Sequence, residues 1–169
     1  MSGVALSGIA HASLPRAQFA VPPKETEADC YSCQSNAGVR RISPGVPIFT
    51  GTYWIVEHAY PCKIRGWLVL VLRRHCDAVH ELTEGEFSEL SSLLSRTTRV
   101  LAEVLRCEKE YVAQFAEAEH FHHVHFHVIP KPLGLPSEEI GPGVFVNLRG
   151  DGVPEDEVNE LCKGLAARF

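Results

Sequence analysis

The chain has 169 residues, of which 45% are hydrophobic and 22% are charged, and its formal net charge is −5. This length is typical of one domain with a substantial core, and the negative net charge does not favour nucleic acid as a partner. No apolar run reaches the length of a membrane span, so we expect no membrane partner either.

The first residues form a mixed Ala/Ser/Gly/Leu segment. This segment lacks a basic stretch followed by a sustained apolar run, which is the pattern of a secretion signal. We predict an arm over 1–22 that is mobile or draped over a second subunit, a single domain over 23–169, and a cytoplasmic location. In the cytoplasm, a Cys-x-x-Cys pair such as Cys30 and Cys33 is a metal-binding or redox pair more often than a disulfide.

The first half of the chain contains two predicted strands. Residues 52–58 are apolar, aromatic and β-branched, which predicts a strand that ends before Pro61. Gly66 precedes a nearly continuous apolar run over 67–72, which predicts a strand buried on both faces. Residues 34–47 are rich in Gly, Pro and Ser, and we expect a loop there.

Two helices are also predicted. Thr83 and Glu86 have the spacing of a capping box, and apolar residues recur at helical spacing over 87–105. This pattern predicts one long amphipathic helix packed on a sheet. Pro154 and the acidic residues over 155–157 predict the first turn of a C-terminal helix.

Three more strands are predicted over 110–115, from about 122 to 130, and over 144–148, with a Pro/Gly-rich loop over 131–143. The resulting order is two strands, a helix, three strands and a helix. This order predicts an α+β fold, in which helices flank an antiparallel sheet.

Three histidines, His123, His125 and His127, alternate with apolar residues in the second of these strands. Because side chains alternate along a strand, the three imidazoles share one face and the apolar residues fill the other. Clustered imidazoles are costly in an ordinary core, so the pattern indicates a metal site, a phosphate site or a catalytic site. The alternative is a solvated face that is rich in histidine.

This histidine pattern resembles the signature of the histidine triad superfamily. Residues 66–75 are similar to the family's Gly-His-x-Leu-Val-Ile-Pro-Lys-x-His segment, although Trp67, which we expect to pack in the core, replaces its first histidine. The segment Cys30-Tyr31-Ser32-Cys33 resembles the Cys-x-x-Cys of the zinc-containing members. The resemblance implies an antiparallel sheet with one long helix, usually paired into a homodimer.

The resemblance also implies a reaction. His125 would act as the nucleophile on the α-phosphate of a purine nucleotide and form a nucleotidyl-histidine, which water then hydrolyses. His127 would donate a hydrogen bond to a phosphate oxygen. The substrate would be a dinucleoside polyphosphate, a phosphoramidate or adenylyl sulfate. A histidine at position 127, where the uridylyltransferase branch has Gln, favours hydrolysis over transfer.

The zinc-containing members imply a structural Zn²⁺ site. Its ligands would be Cys30, Cys33, His75 and His123, a set that suits tetrahedral zinc and leaves no position for water. In the alternative, the two thiols are simply buried and His75 contacts phosphate directly.

The chain departs from the family near the nucleotide. Glu119 and His120 stand where the family usually has Gln followed by Ser or Thr, and Gln114 substitutes for an absent asparagine. The ribose-binding acid falls near Glu57 or His58. We expect the nucleotide contacts to be Gln114, Glu119, His120, His127 and Glu57.

Two other functions stay open. The departures at Glu119 and His120 favour a nucleotide-binding regulatory module with little catalytic activity. The histidines could also form a catalytic metal site in an unrelated hydrolase or oxygenase.

Overall fold

The computed structural model of the protein describes residues 26–169, which form one antiparallel sheet with helices around it. The strands are β1 (Phe49–Thr50), β2 (Trp54–His58), β3 (Leu68–Leu72), β4 (Lys109–Ala113) and β5 (His125–Lys131). The α-helices are α1 (Tyr31–Asn36), α2 (Glu84–Leu105) and α3 (Glu155–Ala166). The strand order in the sheet is β1-β2-β3-β5-β4. This architecture confirms the predicted α+β class.

Helix α2 begins at the predicted capping box. The Glu86 amide donates to Thr83 Oγ1 at 3.3 Å, and the Thr83 amide donates to Glu86 Oε2 at 2.7 Å. The apolar face of α2 packs on one face of the sheet together with α3, and the buried residues of this core include Leu90, Leu101, Leu161, Trp54, Leu70 and Val128. No helix within residues 26–169 combines the length and the apolar character needed to cross a membrane.

The prediction of a strand over 144–148 is wrong, because these residues form part of a 3-10 helix, Gly141–Leu148. A short apolar run is compatible with either structure, and periodicity alone does not distinguish them. Pro142 lacks the backbone N–H that a sheet ladder needs, and it favours the first turn of a helix. The segment still contributes Val144 to a second apolar cluster, which covers the other face of the sheet.

Two boundaries also differ from the prediction. Helix α1 covers the start of the loop predicted over 34–47, and β5 begins at His125 instead of near residue 122. The amide of Val124 donates to the Cys76 carbonyl at 2.7 Å, outside the sheet ladder. The predicted arm over 1–22 lies outside the described residues, and the division of the chain between 22 and 23 stays a prediction.

Candidate active site and metal centre

The sheet register brings a carboxyl group and two imidazoles to one face. Val69 of β3 pairs with both Glu57 of β2 and His127 of β5, and Val71 pairs with His125. Because paired residues share a face, these side chains all lie on the face opposite α2. They line a cavity of about 430 Å³.

The cavity wall is mainly apolar and aromatic. Phe115, Phe121 and Phe145 line it together with His125 and His127. The Phe145 ring lies edge-on to His127, with centroids 5.1 Å apart, and edge-on to Phe115 at 5.2 Å. A cavity of this size with few, convergent polar groups is typical of a small-molecule site.

His125 presents an unprotonated nitrogen to the cavity. Its Nδ1 lies 2.7 Å from the carbonyl oxygen of His123. A carbonyl only accepts, so the proton sits on Nδ1 and Nε2 keeps its lone pair. Burial lowers the pKa of His125, against the opposing effect of the hydrogen bond to His123, and favours the neutral ring.

His127 takes the opposite tautomer. The indole Nε1–H of Trp67 donates to His127 Nδ1 at 3.0 Å. An indole nitrogen only donates, so Nδ1 is the acceptor and the proton of neutral His127 sits on Nε2. Burial, with a smaller contribution from His125, lowers the pKa of His127 to about 3. The two rings lie 4.8 Å apart, one with a lone pair on Nε2 and the other with a proton there.

A second cluster consists of Cys30, Cys33, His75 and His123, whose candidate ligand atoms all lie within 4.8 Å of one another. Cys33 Sγ lies 3.3 Å from His75 Nδ1 and 3.4 Å from His123 Nδ1, and Cys30 Sγ lies 3.5 Å from His123 Nδ1. Tetrahedral zinc with ordinary bond lengths separates a sulfur and a nitrogen ligand by about 3.6 Å. These three distances are close to that value, so the cluster suits a zinc ion.

The surroundings orient both histidines of this cluster as ligands. His123 Nε2 donates to the Leu72 carbonyl at 2.7 Å, and His75 Nε2 faces Asp77 Oδ1 at 3.0 Å. Each ring thus turns Nδ1 towards the two thiols, an arrangement typical of metal-binding histidines. Burial is the main cause that lowers the pKa of His123 to about 4, so the ring is neutral, as a metal ligand must be.

The comparisons with known proteins point in one direction. No protein-family model matches the chain. The adenosine 5'-monophosphoramidase hnt1 of Schizosaccharomyces pombe is 30% identical over 84 residues, which are 47% of this chain and 56% of that protein. The chain therefore matches just over half the length of this curated relative.

Solved structures share the fold over most of the chain. A histidine triad protein from Sinorhizobium meliloti is 26% identical, with a TM-score of 0.57 over 74% of this chain and 87% of that chain. A zinc-bound histidine triad family protein from Mycobacterium smegmatis is 16% identical, with a TM-score of 0.62 over 85% and 96% of the two chains. The chain therefore shares the fold of histidine triad proteins. The family resemblance of the sequence is thereby confirmed.

The three histidines of the triad pattern divide between two centres. His125 and His127 line the cavity, whereas His123 turns its ring to Cys30 and Cys33. His123 nevertheless belongs to both centres, because its ring is a candidate metal ligand and its carbonyl holds His125.

The predicted nucleotide contacts are only partly brought together. Glu57 and His127 line the cavity, whereas Gln114, Glu119 and His120 are not among the residues on its wall. Ala113 pairs with His127, so strand alternation turns Gln114 to the opposite face. The Glu119 side chain is 92% exposed, and the His120 ring stacks on Tyr31 with centroids 4.5 Å apart.

Glu57 and His58 both border the cavity, and their hydrogen bonds distinguish them. Burial raises the pKa of the Glu57 carboxyl to about 7. His58 is buried, its Nδ1 donates to the Ala59 carbonyl at 2.6 Å, and its Nε2 accepts from the Gly66 amide at 2.9 Å. Both ring nitrogens of His58 are therefore engaged by the turn between β2 and β3, which makes Glu57 the better candidate for a ligand contact.

Sequence reasoning missed the aromatic wall and the polar role of Trp67. Phe115 and Phe121 precede the triad by only a few residues, and this closeness in sequence could have indicated that they line the same site. Phe145 lies 18 residues after His127, and no local pattern connects it to the site. The indole of Trp67 packs in the core as expected, but it also donates to a triad histidine.

Proposed function

We propose that this protein is a nucleotide hydrolase that cleaves nucleoside 5'-phosphate derivatives at the α-phosphate through a covalent intermediate on His125. The observation that carries the proposal is the pair of opposite tautomers on one cavity wall. One Nε2 is ready to attack phosphorus, and the neighbouring Nε2–H is ready to donate to a phosphoryl oxygen. The name of the S. pombe relative, an adenosine monophosphoramidase, supports the substrate class.

In the first step, the lone pair of His125 Nε2 forms a bond to the α-phosphorus. The bond between phosphorus and the leaving group breaks, and its electron pair goes to the leaving group. In the second step, water attacks phosphorus and releases a proton to the solvent, while the P–N bond breaks and its electron pair returns to Nε2. The positive charge on the intermediate imidazole is stabilised throughout by the hydrogen bond from Nδ1 to the His123 carbonyl.

His127 would stabilise the charge that develops on the phosphoryl oxygens. A donor held in place by its surroundings contributes most to transition-state stabilisation in a site that excludes water. His127 is buried, with 8% of its surface exposed, and its low pKa keeps it a neutral donor. Catalysis by His127 would therefore not depend on its protonation near neutral pH.

The nucleoside would occupy the apolar part of the cavity. Phe115, Phe121 and Phe145 offer ring faces and edges to a base, and Glu57 could accept hydrogen bonds from ribose hydroxyls. Glu119 and His120 lie in the chain between Ala118 and Phe121, which line the cavity, and we propose that they meet the leaving group at its rim. Gln114 is a weaker candidate for a nucleotide contact, because strand alternation turns it to the face of the sheet opposite the cavity.

Cys30, Cys33, His75 and His123 would hold a structural zinc ion. When bound, the ion would supply a fixed crosslink and no chemistry, because four protein ligands complete its coordination. His75 follows β3 and His123 precedes β5, so the crosslink would join α1 to two strands of the sheet. The Mycobacterium smegmatis neighbour is described as zinc-bound.

We further propose a homodimer in the cytoplasm. In the described part of the chain, β4 is an edge strand, and the nearby Val112 and Phe115 are 49% and 57% exposed. An open edge beside exposed apolar side chains is a surface on which a second copy can add its own strand. Thiolate ligands persist in a reducing compartment, which supports the location. Analytical ultracentrifugation tests the dimer directly.

The decisive experiment compares His125→Ala with wild type on adenosine phosphoramidate, a diadenosine polyphosphate and adenylyl sulfate. We expect the variant to bind AMP and to lose turnover of all three compounds. Wild type quenched during turnover should carry an acid-labile labelled adduct that the variant lacks. His80→Ala, which alters an exposed histidine outside the cavity, is the matched control. Wild-type rates in His125→Ala would refute the proposal.

A nucleotide-binding regulatory module is the second candidate. The side chain of Glu119, where the family usually has Gln, is 92% exposed, and His120 is stacked on Tyr31. Leaving-group assistance at these positions must therefore differ from that in the family. AMP binding without adduct formation or turnover in wild type would favour this candidate.

A further inference from the structure

We infer that Trp67 is a positioning residue that holds His127 in the tautomer needed for phosphoryl transfer. This inference rests on the proposed function of His127 as a hydrogen-bond donor. It assigns the choice of tautomer to a side chain that touches neither phosphate nor leaving group.

The contact between the two rings is direct and buried. Trp67 is fully buried and His127 is 8% exposed. The indole Nε1 lies 3.0 Å from His127 Nδ1, and the ring planes cross at 86°. The edge of the indole therefore aims its single N–H at the in-plane lone pair of the imidazole, which is good hydrogen-bond geometry.

The indole is held in this orientation from its other side. Phe145 lies edge-on to Trp67 with centroids 5.2 Å apart, and edge-on to His127 at 5.1 Å. Ile129 and Val144 complete the apolar cluster around the pair. Water has little access to His127 Nδ1, so no solvent molecule can readily replace the indole donor.

The residue type matters because the indole N–H of a tryptophan can donate a hydrogen bond but cannot accept one. The related segment of the family has histidine at this position, and a histidine can present either a proton or a lone pair. Trp67 removes that ambiguity. With Nδ1 committed as an acceptor, the only proton of neutral His127 lies on Nε2, on the cavity side.

Removal of the donor should slow the chemical step. In Trp67→Phe, His127 Nδ1 loses its partner inside the apolar cluster, and the ring can rotate or exchange tautomers. A buried group left without its partner typically costs enough to change a rate about 10-fold. We expect kcat on adenosine phosphoramidate to fall by about this factor with little change in KM, since the nucleoside pocket is intact.

The chain offers a matched control in Trp54. Trp54 is also fully buried, and its Nε1 donates to the Glu86 carbonyl at 2.9 Å, on the helix side of the sheet. Trp54→Phe loses the same kind of hydrogen bond without altering the cavity. We expect its kcat to stay within about twofold of wild type, because the loss affects stability and not His127.

Nuclear magnetic resonance of the ¹⁵N-labelled wild-type protein and its variants tests the tautomer itself. A scalar coupling between Trp67 Nε1 and His127 Nδ1 should be detectable across the hydrogen bond. The ¹⁵N shifts should identify Nδ1 of His127 as unprotonated and Nε2 as protonated. In Trp67→Phe the two shifts should move towards each other, and in Trp54→Phe they should not.

The outcomes separate the inference from the function on which it rests. A protonated Nδ1 in wild type, unchanged His127 shifts in Trp67→Phe, or an equal loss of kcat in both tryptophan variants would overturn the inference. If wild type hydrolyses none of the test substrates, the proposed function fails, but the coupling and the shifts still decide whether Trp67 sets the tautomer.

Discussion

Replacement of Glu57 by Gln should make the protein more stable at pH 8 while it weakens nucleotide binding. The Glu57 carboxyl lies on a cavity wall made mainly of apolar side chains, and burial raises its pKa from 4.5 to about 7. The unfolded chain thus loses this proton near pH 4.5, while the folded protein keeps it until about pH 7. Between these values the folded state binds more protons, so the free energy of unfolding falls as pH rises.

The magnitude follows from the two pKa values. A difference of one in pKa corresponds to about 1.4 kcal/mol, so ionised Glu57 destabilises the folded protein by about 3 kcal/mol above pH 7. Gln has nearly the same shape and cannot ionise. Glu57→Gln should therefore gain about 3 kcal/mol relative to wild type at pH 8, and the difference should disappear near pH 4.5.

Urea denaturation at pH 4.5, 6 and 8 measures this difference directly. Glu117→Gln is the matched control, because Glu117 also lines the cavity but is exposed, and it should change stability by less than about 0.5 kcal/mol. An effect of Glu57→Gln that is the same at all three pH values would refute the reasoning. The same variant should bind AMP more weakly if Glu57 contacts the ribose.

Other changes test the rest of the structure. Cys33→Ser should abolish the binding of about one zinc per chain, which metal analysis measures. It should also lower the rate on adenosine phosphoramidate, because His123 orients His125. Glu86→Gln breaks an ion pair with Arg74 (2.6 Å) that holds the pKa of Glu86 at about 2. It should destabilise the protein by about 1–3 kcal/mol at pH 7, and the difference should vanish as pH falls from 4.5 towards 2 in denaturation curves. Phe145→Ala should weaken AMP binding about 10-fold by calorimetry, since a ring edge is lost from the pocket.

The sequence by itself determined the features whose signals lie close together in the chain, such as a helix start or a short motif. The capping box of Thr83 and Glu86 and the helical spacing behind it predicted α2, because both signals lie within a few turns of chain. The Cys-x-x-Cys pair and the triad were visible because metal and phosphate chemistry requires particular residue types at short spacing. These signals, with the family resemblance, were enough for the fold and for the two candidate centres.

Tertiary structure decided how these residues divide their tasks. Strand alternation predicted three imidazoles on one face. The contacts of the His123 ring with the thiols of Cys30 and Cys33 assign it to the metal cluster instead of the cavity. The tautomers of His125 and His127 depend on a backbone carbonyl and on Trp67, which is 60 residues from His127 in the chain. The 3-10 helix that carries Phe145 formed where a strand was predicted. Such contacts join elements far apart in sequence, and they arise from strand register and packing, which no local periodicity encodes.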